Sequence, residues 1–298
     1  MNTKLFQIGI ASIKRAEVSP SKRAFTLLDL LAVVGVIALL ACFVAPGLAR
    51  TKPAGQSIQC LSNTRRLANV WHMYAQDNND RLVIVFHGGN AQGGNFDPSL
   101  GPAWAEGWLD WTTSTDNTNE NFLLNEKYAR FAPYLSTAPS VFKCPSDIFL
   151  TPAQRARGWT QRVRSYSIDI TLGAGNAESG PWDAAYSHVK KLSQMRFPSP
   201  AETYAFLDEH PDSMNDPAFQ NPHETSWVDY PGRYHNGATA LSFADGHAEM
   251  HQWQSAFASR SGAQVNYSNW VINENVNPGD PDIHWISYRA QRQTSSSF

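Results

Sequence analysis

Nine residues separate His235 from the dipeptide Asp245-Gly246, and Asp208-Glu209 close an apolar stretch upstream. Side chains of these types suit two kinds of metal chemistry. Asp208, Glu209 and Asp245, with Asp212 and Asp216 near them in sequence, supply carboxylates that together with loop carbonyls fit calcium, a hard cation. His235, Asp208 and His247 would instead make a hydrolytic metal site. The spacing matches neither an EF-hand loop nor the helical HExxH pattern. The third reading is structural, with Asp245 serving a turn while His235 and Asp208 make internal hydrogen bonds.

Of the three cysteines, Cys42 lies in a long apolar stretch, which leaves Cys60 and Cys144 as an even pair. In an oxidising compartment these two are candidates for a disulfide between a helix and the rest of the chain. Cys144-Pro145-Ser146-Asp147 has no metal or redox spacing, and no activating partner can be assigned to a catalytic thiol. Trp104, Trp108 and Trp111 are either a carbohydrate-stacking platform or rings filling a core or a subunit contact.

These groups need elements to hold them. Asp245-Gly246 between two alternating runs predicts a hairpin with a two-residue type I′ turn. That register sets Ala244 opposite His247, Phe243 opposite Ala248 and Leu241 opposite Met250, with His247, Glu249 and His251 on the other face. Ile58, Leu61, Ala68, Trp71 and Ala75 approximate the spacing of one helix face, and Asn78-Asn79-Asp80 ends that helix. Residues 86–102, rich in Gly and Asn, read as a long surface loop.

The chain has 298 residues, 42% hydrophobic and 17% charged, with a net charge of -2 and a mean hydropathy of -0.39. These values exclude a polytopic membrane protein and a disordered charged tail, and give no electrostatic reason to expect nucleic acid as a partner. The apolar character is concentrated near the N-terminus. From Ala24 to Ala49 the only charge is Asp29, and the stretch from Phe25 to Ala45 makes a helix of about 30 Å, the depth of a bilayer core. Lys4, Lys14, Arg15, Lys22 and Arg23 precede it against a single acid, Glu17, which predicts a cytoplasmic N-terminus and an outward C-terminal remainder. Pro46-Gly47 is expected to break or kink the helix, and residues 52–55 to break it.

The segment KRAFTLLDLLAVVGVIALLA resembles the N-terminal methylation segment of type IV pilins and type II secretion pseudopilins. Further stretches resemble the group with a processing-associated H-x9-DG motif: Cys60, Asn63, Arg66 and Leu67; the VFKCPSD segment; RSYSIDI; and His235 with Asp245 and Gly246. The resemblance implies cleavage between Ala24 and Phe25 by a prepilin peptidase and N-methylation of Phe25. It also implies subunit assembly through Asp29, whose carboxylate would face the Phe25 amine of a neighbouring copy. Ala24 stands where the family usually has Gly, and Asp29 where it usually has Glu.

The expected molecule is α+β and pilin-like: a leader over 1–24, a transmembrane helix over 25–49, a spine extension over 50–80, and a mostly antiparallel β head over 81–298 with long loops. It would be a structural subunit and not an enzyme. It would sit in a bacterial inner membrane with its head periplasmic or surface-exposed, self-associate through its N-terminal helix, and work with secretion or pilus assembly machinery. The rival is a membrane-anchored glycan-binding or metal-dependent enzyme head that uses the segment only for export.

Overall fold

The computed structural model describes residues 26–135, 138–175, 186–223, 225–255, 265–268 and 274–292. They belong to two compact units, Met1–Ala49 and Arg50–Phe298. The Ala24/Phe25 junction lies outside the described residues.

In the first unit, helix α1 (Leu27–Asp77) starts from a reciprocal cap. Thr26 is the residue before the helix, and its backbone N–H and hydroxyl both donate to Asp29 Oδ2, at 3.0 and 2.7 Å. The Asp29 N–H donates back to Thr26 Oγ1 at 3.2 Å. Two backbone donors that a helix start leaves open are thereby satisfied. The acid that looked out of place in an apolar run caps its own helix.

Two expectations for this region are corrected. Among the described residues no helix is long and apolar enough to cross a membrane, so the transmembrane part of the expected fold does not stand. The expected breaks are also absent, since α1 continues past Pro46 and past 52–55 as one helix to Asp77. A proline removes one N–H from a helix but leaves the bonds on either side to carry it on.

In the second unit, α1 buries a stripe of Cys60, Thr64, Leu67, Ala68, Trp71 and Ala75, while Ile58 is exposed. The helix ends where Asn79 and Asp80 take positive φ, and the Asp80 N–H donates to Ala75 O at 2.8 Å. The stripe lies on a five-stranded sheet in the order β3-β1-β2-β5-β6, made of β1 (Tyr166–Asp169), β2 (Tyr204–Asp208), β3 (Ala218–Phe219), β5 (Ala238–Phe243) and β6 (Ala248–Gln252). β4 (Ser226–Trp227) and β7 (Glu274–Asn275) form a separate pair. The sheet is mixed: β1–β2, β2–β5 and β5–β6 are antiparallel, as expected of a mostly antiparallel head, and β3 runs parallel to β1. After β2 the chain steps over β1 to its far edge before pairing, which gives β3 the direction of β1.

The sheet separates two cores. One holds Leu67, Ala68 and Trp71 of α1 with Tyr166, Ile168, Phe206 and Ala240; the other holds Tyr204, Leu207, Leu241 and Phe243 with Ile283 and Ile286. The last two belong to helix α5 (Pro281–Ser287), which Asp280 caps through the N–H groups of Asp282 and Ile283. Three short helices, α2 (Asn121–Leu124), α3 (Ala132–Leu135) and α4 (Pro152–Ala156), lie between α1 and β1. A register shift between Tyr204 and Phe206 makes Ala205 and Phe206 both face α1. Strict alternation then resumes and brings Asp208 to the α1 side.

The hairpin is present with its register moved by one residue. Leu241 pairs with Glu249 and Ala240 with Met250. The loop has three residues, Ala244 to Gly246, closed by Gly246 N–H donating to Phe243 O at 2.9 Å, with Gly246 at φ +93°. Positive φ at both central residues, the type I′ requirement, falls instead on Asn236 (56°) and Gly237 (85°), where the Ala238 N–H donates to His235 O. β5 is buried along its whole length as an interior strand, so the expectation of one polar face does not constrain it.

Candidate functional site

Cys60, Cys144, Asp208 and His235 come from four separate places in the chain and converge in the second unit. Cys60 is on the buried stripe of α1, and Asp208 is the last residue of β2, facing α1. His235 opens the Asn236-Gly237 turn into β5. Cys144 follows a short turn at Pro139–Phe142, and α1 positions it: Asn63 Nδ2 donates to Ser140 O and Lys143 O, both at 3.0 Å, and Gln56 Nε2 donates to Pro145 O at 3.2 Å.

The Sγ atoms of both cysteines, a carboxylate oxygen of Asp208 and a ring nitrogen of His235 all lie within 4.8 Å of one another. Cys60 Sγ–H donates to Asp208 Oδ2 at 3.2 Å. Cys144 Sγ is 3.4 Å from His235 Nε2, and that nitrogen is 3.8 Å from Asp208 Oδ2. Around this ring stands a second one. Tyr166 Oη donates to Cys60 Sγ at 3.1 Å, the Ala240 N–H donates to Asp208 Oδ1 at 3.0 Å, and His235 Nδ1 is 3.0 Å from Ser57 Oγ.

All four residues are buried, with the cysteines and Asp208 at 0% exposure. Burial pushes the Asp208 carboxyl and the Cys60 thiol well above their ordinary values and pulls His235 down to about 4. Cys60 and Cys144 are adjacent free thiols, where the sequence suggested a disulfide. Two thiols, an imidazole and a carboxylate form a donor set that suits a borderline transition-metal ion.

The acids expected to gather around calcium do not converge. Glu209 is buried and accepts from Ser167 Oγ and from Ser213 Oγ, the latter at 2.8 Å, and burial pushes it up to about 8. Asp212 accepts from Trp111 Nε1 and the Asn266 N–H, and Asp216 from the Gly88 and Ala218 N–H groups. Asp245 holds its own loop, taking the His247 N–H at 3.0 Å and His247 Nδ1 at 2.6 Å. His247 stacks on Phe243 with ring centroids 4.2 Å apart and is thereby kept at the hairpin loop rather than in the His235 cluster. His235 and Asp208 are therefore shared between expectation and structure, while Cys60 and Cys144 enter the site in a role their spacing did not suggest. Only the long-range pairing of strands brings them together, so no local motif signals them.

Trp104 and Trp111 are buried and Trp108 is half-buried, so the three rings do not stand exposed as one platform. Trp104 is fully buried against Phe131, Phe142 and Phe206, and Trp111 is buried under Arg162, whose guanidinium lies 4.2 Å from its ring. Trp104 Nε1 donates to Pro217 O at 3.1 Å, which satisfies its one polar atom.

Fold and site together define an α+β unit built on a mixed five-stranded sheet with a buried cysteine, histidine and aspartate cluster. No protein-family model, no curated protein and no solved structure matches the chain.

Proposed function

We propose that the protein is a structural subunit, cut after Ala24 by a prepilin peptidase and assembled with further copies of itself through the first part of α1. The observation that carries this reading is the exposure of that part on every side. Leu27, Leu28, Leu31, Ile37 and Leu39 are each more than 60% exposed, and Leu30, Val33, Val34, Val36 and Leu40 are exposed with them. An apolar patch of this extent marks an association surface, and a helix that is apolar all round needs cover on all sides. Copies of the same helix supply such cover.

Asp29 supports the same reading. Its carboxylate is exposed and held by Thr26, and it would neutralise the amine that cleavage creates on a neighbouring copy. The burial of Trp104 and Trp111 and the enclosed cluster favour this over a glycan-binding or catalytic head.

Sedimentation and electron microscopy of the full chain, co-expressed with a prepilin peptidase, test the proposal. Large oligomers or fibres are expected, and the double substitution Leu30→Asp with Ile37→Asp should return the chain to monomers. A wild-type chain that stays monomeric after processing contradicts it.

A further inference from the structure

We propose that Cys60, Cys144, Asp208 and His235 are the four ligands of a structural Zn2+ site. Zinc bonds of about 2.0–2.3 Å to S, N and O in a tetrahedron place neighbouring ligand atoms about 3.3–3.8 Å apart. Three of the six ligand-ligand distances in the cluster are 3.2, 3.4 and 3.8 Å, and the other three are within 4.8 Å. Pairwise hydrogen bonding accounts for two of these contacts but gives no reason for four groups on four chain segments to face one point.

The surrounding hydrogen bonds assign the ligand atoms. Ala240 occupies Asp208 Oδ1 and leaves Oδ2 for the metal. Ser57 Oγ, 3.0 Å from His235 Nδ1, would accept a hydrogen bond from Nδ1–H, the tautomer in which Nε2 carries the free lone pair. Ser57 Oγ donates onward to Pro53 O at 3.0 Å, so it is free to accept from the imidazole. Tyr166 Oη donates to Cys60 Sγ, the bond a buried thiolate requires. Outer partners of this kind are what orients metal ligands in proteins. Binding releases to solvent the protons that the two thiols and the carboxyl carry, and the dication offsets two thiolates and a carboxylate to leave one net negative charge.

The donor set also decides the metal and its role. Calcium takes several oxygen ligands and has no use for two thiolates and an imidazole. Four buried protein ligands leave no open position for substrate, so the ion is structural. It would tie α1 and the Cys144 segment to β2 and to the start of β5.

The test uses the full chain without a histidine tag, grown with added zinc and purified under reducing conditions. Elemental mass spectrometry should find about one zinc per chain, and exchange with Co2+ should give the visible bands and sulfur-to-cobalt charge transfer of a tetrahedral thiolate site. Cys144→Ser and His235→Ala should each lose the metal. Should either variant fail to fold, wild-type thiol reactivity decides: Cys60 and Cys144 should resist a thiol reagent until a strong chelator is added. A chain that holds well under one metal ion after zinc reconstitution, or one in which peptide mapping finds a Cys60–Cys144 disulfide, overturns the site.

Discussion

Cys60 Sγ and Asp208 Oδ2 are 3.2 Å apart across 148 residues of sequence, one on the long helix and the other at the end of a central strand. That contact exists because the irregularity in β2 turns Asp208 toward α1. The helix supplies one cysteine, the strand one acid, and the remaining two groups close in from loops.

Tyr166→Phe tests the outer ring. The ring packing is retained and only the hydroxyl that donates to Cys60 Sγ is lost. Competition against a chromophoric chelator should show zinc held about 10–100-fold more weakly. An unchanged affinity would mean that Tyr166 does not tune the thiolate.

Trp104→Ala removes a ring that touches Phe131, Phe142 and Phe206. Denaturant unfolding should report a loss of about 3–5 kcal/mol. A ring belonging to a sugar platform would cost far less.

Glu106 is buried, and one of its carboxyl oxygens has no hydrogen-bond partner among the described residues. Burial pushes it from 4.5 up to about 8, against the opposing pull of the Ala103 N–H and Arg164. The folded chain therefore keeps a proton that the unfolded chain releases, so this group lowers stability as pH rises from 4.5 to about 8. Glu106→Gln should match wild type in thermal melts near pH 4 and exceed it at pH 8, by more than about 1 kcal/mol. Parallel pH profiles for the two proteins would contradict this.

Gly246→Ala tests the loop geometry. A Cβ there would meet His72 at 3.8 Å, an ordinary contact, so its cost comes from the positive φ of +93°. Chemical denaturation should show a loss of about 1–2 kcal/mol with the hairpin retained.

The hairpin illustrates what a sequence can and cannot specify. Asp245-Gly246 marks the reversal, yet a loop one residue longer than expected shifts every pair. The type I′ signal was in Asn236-Gly237, ahead of the strand. The buried face of α1 is legible from its spacing except at Ile58, which points outward. Cys60 and Cys144 are identifiable as a pair, but their partners are not. His235 lies 91 residues from Cys144, and only strand order and the shift in β2 close that distance. The acids near Asp208 are close in sequence but are each drawn to different backbone, hydroxyl and indole donors, so closeness in sequence does not gather them at one point.

The measurement that bears most directly on the proposed role is mass spectrometry of the intact chain made with and without a prepilin peptidase. With the peptidase the chain should begin at N-methylated Phe25, and without it the leader through Ala24 should remain. A chain that keeps its leader in the presence of an active peptidase, or one cut elsewhere, would contradict the account.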